Sequence, residues 1–217
     1  MSKFHKPVML LESIAGLKIK EDGIYVDATF GGGGHTKKIL KNLGSGKIIV
    51  FDQDEEAITA NKIQDDRIII MNKNFRYIQN CLNNMGIEKI DGLIADLGVS
   101  SHQIDSDRGF SFNSNIPLDM RMNKLGSINA IDILNKYDKK KLSEIFKDHS
   151  DFTNSDKLAE KVIQYRRNHV ITYPKDLLEV FKGSFFVAKK NKFFARICQA
   201  IRIEVNDEIE SLKKLLQ

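Results

Sequence analysis

Residues 24–35 read IYVDATFGGGGH. The apolar residues 24–26 have the composition of a β-strand, and Asp27 stands at the end of that strand. Four glycines then lead into a helical pattern over residues 34–43. Glycines let a backbone approach a ligand closely, and the start of a helix presents free N–H groups. The stretch predicts a strand, a ligand-binding turn and a helix, with a plain glycine-rich turn as the alternative.

The alternation of strands and helices continues on the carboxyl side of this stretch. Further strands are predicted at 47–51, 67–71 and 90–95, and further helices at 54–63 and 75–85. The strands are continuous apolar runs, which is typical of a parallel sheet covered on both faces. We therefore expect a doubly wound α/β domain. Ahead of it, Pro7 is predicted at the first position of a helix.

Acidic residues follow three of the predicted strands: Asp27, Asp52 and Asp96. Ligands of open α/β sheets bind outside the carboxyl ends of the strands, so these residues should converge on one crevice. A carboxylate after the second strand can accept both ribose hydroxyls of NAD or of S-adenosylmethionine, and the alternative is a helix cap. Thr36 replaces the third glycine of a dinucleotide motif, which disfavours a nicotinamide-dependent dehydrogenase.

No strand pattern is visible beyond Asp96, where short helical patterns take over. Before them, residues 97–123 form a long, turn-rich segment of the kind that is usually functional. Apolar residues from Ile197 to Leu216 recur at helical spacing and predict one amphipathic helix. We expect an α/β domain over 1–127, a helical insertion over 128–196 and a returning helix over 197–217.

The composition is that of a globular protein with a modest excess of positive charge. The chain has 217 residues, with 34 Lys+Arg against 29 Asp+Glu. Its apolar runs are too short to span a bilayer, no secretory signal is visible, and its two cysteines read as reduced thiols. No residue spacing suggests a metal site. These features predict a cytoplasmic protein for which a polyanionic partner is permitted.

Six segments closely resemble the RsmH (MraW) family of methyltransferases. They are HKPVMLLES (5–13), GIYVDATFGGGGH (23–35), FDQDEEAI (51–58), DGLIADLGVSSHQIDSDRGFSF (91–112), PLDMRMN (117–123) and QAIRIEVNDEIE (199–210). Lys192 to Ala195 resemble the Bacteroidetes branch of that family. The resemblance implies a Rossmann-like class I methyltransferase sheet with a helical insertion. It also implies S-adenosylmethionine as cofactor and the N4 amine of a P-site cytidine in 16S ribosomal RNA as substrate.

The resemblance carries the cofactor contacts of the family over to matching positions. They are Gly33, Gly34 and His35, Asp52 after strand two, the aromatic Phe75, and Asp96 and Gln103 in DLGVSSHQ. Ordinary core packing is the alternative for Phe75. The insertion departs from the family at Ser150, Asp151 and Asp156. The chain also stops at Gln217, before the later strands of the family, so we expect an open sheet edge, marginal stability and self-association. An inactive RNA-binding remnant is therefore the alternative function.

Two carboxylates are candidates for assisting methyl transfer to an exocyclic amine. An acceptor near the amine can localise its lone pair and take a proton, and Asp96 is the first candidate for this role. Asp119 is the second, with a loop-capping role as its alternative. Arg108 and Arg121 are candidates for RNA phosphates, unless they pair with nearby aspartates.

Basic residues concentrate in the predicted insertion. Residues 161–196 contain nine basic and two acidic side chains, and Phe185, Phe186, Phe193 and Phe194 lie among the basic residues near the end of that range. Clustered positive charge with aromatic residues suits ribosomal RNA. The alternative is a solvated helix face over a packed aromatic core. The remaining histidines, His5 and His102 among them, show no ligand spacing.

Overall fold

The computed structural model describes residues 7–217, except for the side chain of Ser101. His5 of the first motif lies outside the described residues. The described chain divides into two compact units, one made of the residues up to His102 together with Glu210–Gln217, the other of Gln103–Ile209. None of the described helices combines the length and the apolar composition that a membrane crossing requires.

The elements follow one another in the order expected for successive βαβ units and then a run of helices. The strands are β1 Ile24–Asp27, β2 Lys47–Phe51, β3 Ile68–Met71 and β4 Gly92–Ile94. The helices are α1 Leu10–Leu17, α2 Gly34–Leu40, α3 Glu55–Ala60, α4 Ile78–Asn84, α5 Ser101–Ile104, α6 Ala130–Lys136, α7 Lys139–Asp148, α8 Ser155–Tyr165, α9 Pro174–Val180, α10 Lys190–Asn206 and α11 Glu208–Leu215. Short 3-10 helices occupy Phe75–Tyr77 and Val187–Lys189.

The strands form a parallel sheet in the order β3-β2-β1-β4. Residues of β2 alternate between its faces: Ile48 and Val50 pack in one buried cluster, and Ile49 and Phe51 in another. All four are fully buried, so both faces of the strand contribute, each such side chain by roughly 1.5–3 kcal/mol. The predicted Rossmann-like parallel sheet is confirmed, with β4 at its edge in the described chain.

The second unit is helical and is built around one apolar cluster. Leu118 and Met120 are fully buried in that cluster, although no helix or strand contains them. This unit spans Gln103–Ile209, and the boundary expected from the sequence lay after residue 127. Helix α10 likewise continues through residue 196, where the end of the insertion was expected.

Both predicted terminal helices differ from the observed ones. Helix α1 begins at Leu10, because Met9 adopts a left-handed conformation and Pro7 lies against Gly34 instead of opening the helix. The single helix expected at the carboxyl end is interrupted at Asp207, whose φ is 49°. There the side chain of Asn206 accepts a hydrogen bond from the Met122 N–H at 2.7 Å, a tertiary contact that apolar spacing does not reveal.

Candidate functional site

The glycine turn after β1 is held in a conformation that only glycine adopts without strain. Gly31 and Gly33 have φ values of 48° and 69°. A Cβ on Gly33 would lie 3.1 Å from the Phe30 ring, whereas a Cβ on Gly32 would meet nothing within 4 Å. The turn is thus packed against Phe30 at Gly33 and open at Gly32. Helix α2 starts immediately after it, where the first N–H groups have no partner within a helix.

Asp27 stabilises this turn through hydrogen bonds. Its carboxylate is buried, accepts a hydrogen bond from the Thr36 hydroxyl at 2.6 Å, and accepts another from the Thr29 N–H at 3.1 Å. Burial raises the pKa of Asp27, and these two hydrogen bonds oppose that rise. These two hydrogen bonds tie the turn to α2.

Asp52 lies at the end of β2, beside the same turn. It accepts hydrogen bonds from the Gly31 N–H at 2.8 Å and the Asp54 N–H at 2.9 Å. Asp52 is not the cap of the following helix. Asp54 caps α3 and accepts a hydrogen bond from the Glu56 N–H. Burial raises the pKa of Asp52 to about 6. The residue therefore has the position and the acceptor chemistry that a ribose site requires.

Three more of the predicted site residues lie in the first unit. Asp96 is exposed just beyond β4, and its N–H donates to the Thr29 hydroxyl at 2.7 Å. His35 is buried in α2, and among the described residues its Nε2 has no hydrogen-bond partner. Phe75 is half-buried against the cluster that includes Phe51. The structure thus brings the glycine turn, Asp52 and Asp96 to the carboxyl ends of neighbouring strands.

Two threonines that connect these parts were not among the residues predicted from the sequence. Thr29 links the turn to the residue after β4, and Thr36 links α2 to β1. Their only sequence signal is a hydroxyl residue two and nine positions after Asp27. Because many threonines are simply exposed, that signal carries little weight without the tertiary partners.

The remaining site candidates lie in the second unit. Gln103 is buried, and its carbonyl accepts the Ser106 hydroxyl at 2.6 Å. Asp119 is paired with Arg121, whose Nη2 lies 2.7 Å from its Oδ2. Burial acts to raise the pKa of Asp119, but hydrogen bonds from Arg121 outweigh it, so the pKa lies below its ordinary value. For Arg121, the pairing alternative is the observed arrangement.

The side chain of Arg108 is also buried. It is 3% exposed, its guanidinium donates to the Met122 carbonyl at 3.0 Å, and it lies over the Phe110 ring. These contacts hold together the segment that carries Asp119. A guanidinium buried in this way is not available to an RNA phosphate.

The aromatic residues of the basic segment divide into two groups. Phe185, Phe193 and Phe194 pack against one another with ring centroids 5.1–5.3 Å apart. Phe186 is 79% exposed. The packed-core alternative therefore describes three of the four phenylalanines. Only the fourth presents its ring to solvent.

A parallel sheet with a glycine turn after β1 and carboxylates after β2 and β4 defines a Rossmann-like nucleotide-cofactor enzyme, and the open space over Gly32 fits such a cofactor. A family model described as the MraW methylase family matches residues 2–217. The chain belongs to this family, as the sequence resemblance predicted. It is a methyltransferase, and S-adenosylmethionine is its methyl donor.

Curated relatives agree with the family assignment. A ribosomal RNA small subunit methyltransferase H from Christiangramia forsetii is 47% identical over 218 residues, covering 100% of this chain and 72% of the relative. The protein of the same name from Flavobacterium johnsoniae is 45% identical, covering 99% and 72%. The one from Phocaeicola vulgatus is 47% identical, covering 98% and 70%.

Proposed function

We propose that this chain transfers the methyl group of S-adenosylmethionine to the N4 amine of a P-site cytidine in 16S ribosomal RNA of the small subunit. The observation that carries the proposal is the meeting of the glycine turn, Asp52 and Asp96 at one edge of the sheet. The relatives named as small-subunit ribosomal RNA methyltransferases support the choice of RNA. Ribosomes are assembled in the cytoplasm, which fits the predicted location.

The proposed cofactor contacts follow from the chemistry of each group. Asp52 accepts hydrogen bonds from the ribose hydroxyls, and the backbone of Gly33–His35 faces the amino-acid part of the cofactor. Phe75 lies at the adenine. Family resemblance adds Gln103 as a further candidate contact. The cofactor supplies a methyl group already activated by the sulfonium.

Asp96 is the residue we propose for the acceptor amine. The lone pair of that amine is delocalised into the ring, so a carboxylate that accepts its N–H localises the pair and takes the proton. In-line positioning contributes most of the remaining rate. Asp119 is the weaker candidate, because a carboxylate held at low pKa by Arg121 is a poor proton acceptor. We assign Asp119 to the support of its own loop.

Replacing Asp52 with alanine should weaken S-adenosylmethionine binding roughly 5- to 150-fold. The reason is that a partly buried hydrogen-bonding partner of the ribose is lost, at a cost of about 1–3 kcal/mol. Calorimetric titration measures the change. Glu56→Ala is the matched control, because it removes a nearby partly buried carboxylate that follows the Asp54 cap. An unaltered affinity in the Asp52 variant would reject the ribose assignment.

Cofactor affinity should also depend on pH through Asp52. Because burial raises its pKa to about 6, the acceptor is ionised at pH 7.5 and mostly protonated at pH 5. If the ionised form binds ribose, affinity falls up to about 10-fold between these values. Because the pKa of Asp52 is raised in the folded state, its contribution to stability is fully present below pH ~4 and is lost as the pH rises through about 6. A loss of cofactor affinity at pH 5 is therefore not caused by Asp52 destabilising the fold. Asp52→Asn should give a flat profile, and a profile identical to the wild type would contradict the prediction.

The function itself is tested by methyl transfer. Labelled S-adenosylmethionine is incubated with the chain and with small subunits that lack the modification, and the labelled nucleotide is mapped by mass spectrometry. We expect label on the N4 position of a P-site cytidine. RNA binding without transfer would favour the inactive remnant, and label on another nucleotide would change the proposed substrate.

A further inference from the structure

One surface segment of the helical unit combines exposed apolar side chains with positive charge. Residues 182–192 read KGSFFVAKKNK, with four lysines and no acidic residue. Within the segment, Phe186 is 79% exposed and Val187 is 88% exposed. Single exposed apolar residues are common, but an adjacent exposed pair in a basic segment offers a partner both apolar contact and positive charge.

The packing of its neighbour holds Phe186 outward. Phe185 is anchored in the core, with its ring 5.3 Å from Phe193 and 5.1 Å from Phe194. Phe186 has extended backbone angles, φ −77° and ψ 142°, so consecutive side chains point in opposite directions. The Lys189 N–H donates to the Phe186 carbonyl at 2.9 Å and closes the following turn. The ring of Phe186 is therefore presented to solvent by a fixed piece of backbone.

The charges of residues 182–192 select the chemistry of the partner. Lys189 and Lys192 are exposed, and the Lys182 side chain is 80% exposed with Glu179 as an ion-pair partner 3.8 Å away. Unpaired RNA offers flat base faces and phosphates in alternation, so it matches an aromatic ring flanked by lysines. A duplex keeps its bases stacked inside and matches only the lysines.

We infer that Phe186, with Val187 beside it, is a stacking platform for an unpaired base of the RNA substrate, and that the surrounding lysines hold the flanking phosphates. This inference rests on the proposed function, since it requires RNA as the substrate. It assigns base contact to a residue outside the cofactor site. It also predicts a preference for single-stranded over duplex RNA.

The experiment measures binding of the full chain to a fluorescent, unstructured RNA of about 15 nucleotides and to a duplex of equal length. Phe186→Ala should weaken binding of the single strand between about 5-fold and about 150-fold and leave duplex binding unchanged. Phe186→Trp should restore affinity because it restores a flat aromatic ring. Phe186→Leu should stay weak. Calorimetry with S-adenosylmethionine should give the same affinity for all variants, and urea unfolding that matches the wild type shows that their helical unit folds.

Lysine variants separate stacking from charge. Lys189→Gln should lower the dependence of log affinity on log salt by about 0.7 on the single strand, as one phosphate contact is lost. Phe186→Ala should leave this slope unchanged. A lower slope in the Phe186 variant would overturn the stacking role.

Two further results would overturn the inference. The first is equal affinity of Phe186→Ala and wild type for the single strand. In that case, methyl transfer by the wild type would still support the proposed function. A Phe186 variant that loses affinity for assembled small subunits but not for RNA would show that the exposed side chains contact protein. If the wild type neither binds RNA nor transfers a methyl group, the proposed function itself fails.

Discussion

Asp96→Ala should lower the rate of methyl transfer to small subunits by about 100- to 10 000-fold, the range lost when a general base is removed. Asp96 is exposed just beyond β4, so the substitution opens no cavity. Its backbone N–H keeps the hydrogen bond to Thr29, because that bond does not involve the side chain. The fold should therefore survive, and the rate at saturating cofactor and saturating subunits reports the lost carboxylate.

A second aspartate near the other end of β4 supplies the control. Asp91 pairs with the exposed Lys20 at 2.7 Å and accepts the Ile24 N–H at 3.0 Å. An exposed ion pair of this kind is worth about 0–1 kcal/mol, so Asp91→Ala should leave methyl transfer nearly unchanged. Calorimetry separates a cofactor effect at Asp96 from an effect on the chemical step. A rate within about threefold of wild type in Asp96→Ala would remove the residue from the mechanism.

The sheet was predictable because local pattern and tertiary burial agree there. Strand β2 has the predicted bounds, since five consecutive residues ending in apolar β-formers leave few alternatives. The position of Asp52 then follows from parallel topology, which brings the carboxyl ends of strands to one edge. The edge of the sheet at which the site is expected therefore follows from the sequence alone.

The hydrogen bonds that each carboxylate makes were not predictable, because their partners are distant in sequence. Asp27 and Asp52 look alike in sequence, each ending an apolar strand. The structure distinguishes them through Thr36 and Gly31, which lie 9 and 21 residues away from their respective partners. Asp119 and Arg121 are only two positions apart, so the sequence alone offers their pairing as an alternative.

The end of α10 shows the same limit for secondary structure. Apolar residues continue in helical spacing past Asp207, so the pattern predicts one helix. The interruption accompanies contacts of Asn206 with residues 84 and 86 positions earlier, Met122 and Met120. A periodic pattern records which face of a helix is apolar. It does not record a polar side chain that ties a helix end to another segment.

Phe194→Ala should lower the free energy of unfolding of the helical unit by about 3–5 kcal/mol, as expected for removing a buried aromatic side chain. Phe194 is 0% exposed, and its ring lies 5.2 Å from Phe193 and 5.9 Å from Phe112. Its removal would leave a cavity and also break favourable ring pairs. Domains of this size have about 5–15 kcal/mol of stability in total, so the loss is large.

Phe186→Ala is the matched comparison for this effect, because it deletes the same type of side chain at a position nearby in the sequence. Phe186 is exposed, so its replacement should change stability by about 0.5 kcal/mol or less. Urea unfolding followed by circular dichroism measures both variants. The four phenylalanines at 185, 186, 193 and 194 are equivalent in composition, and burial alone divides them. Similar losses in the two variants would contradict that division, and with it the claim that Phe186 is kept free for a base.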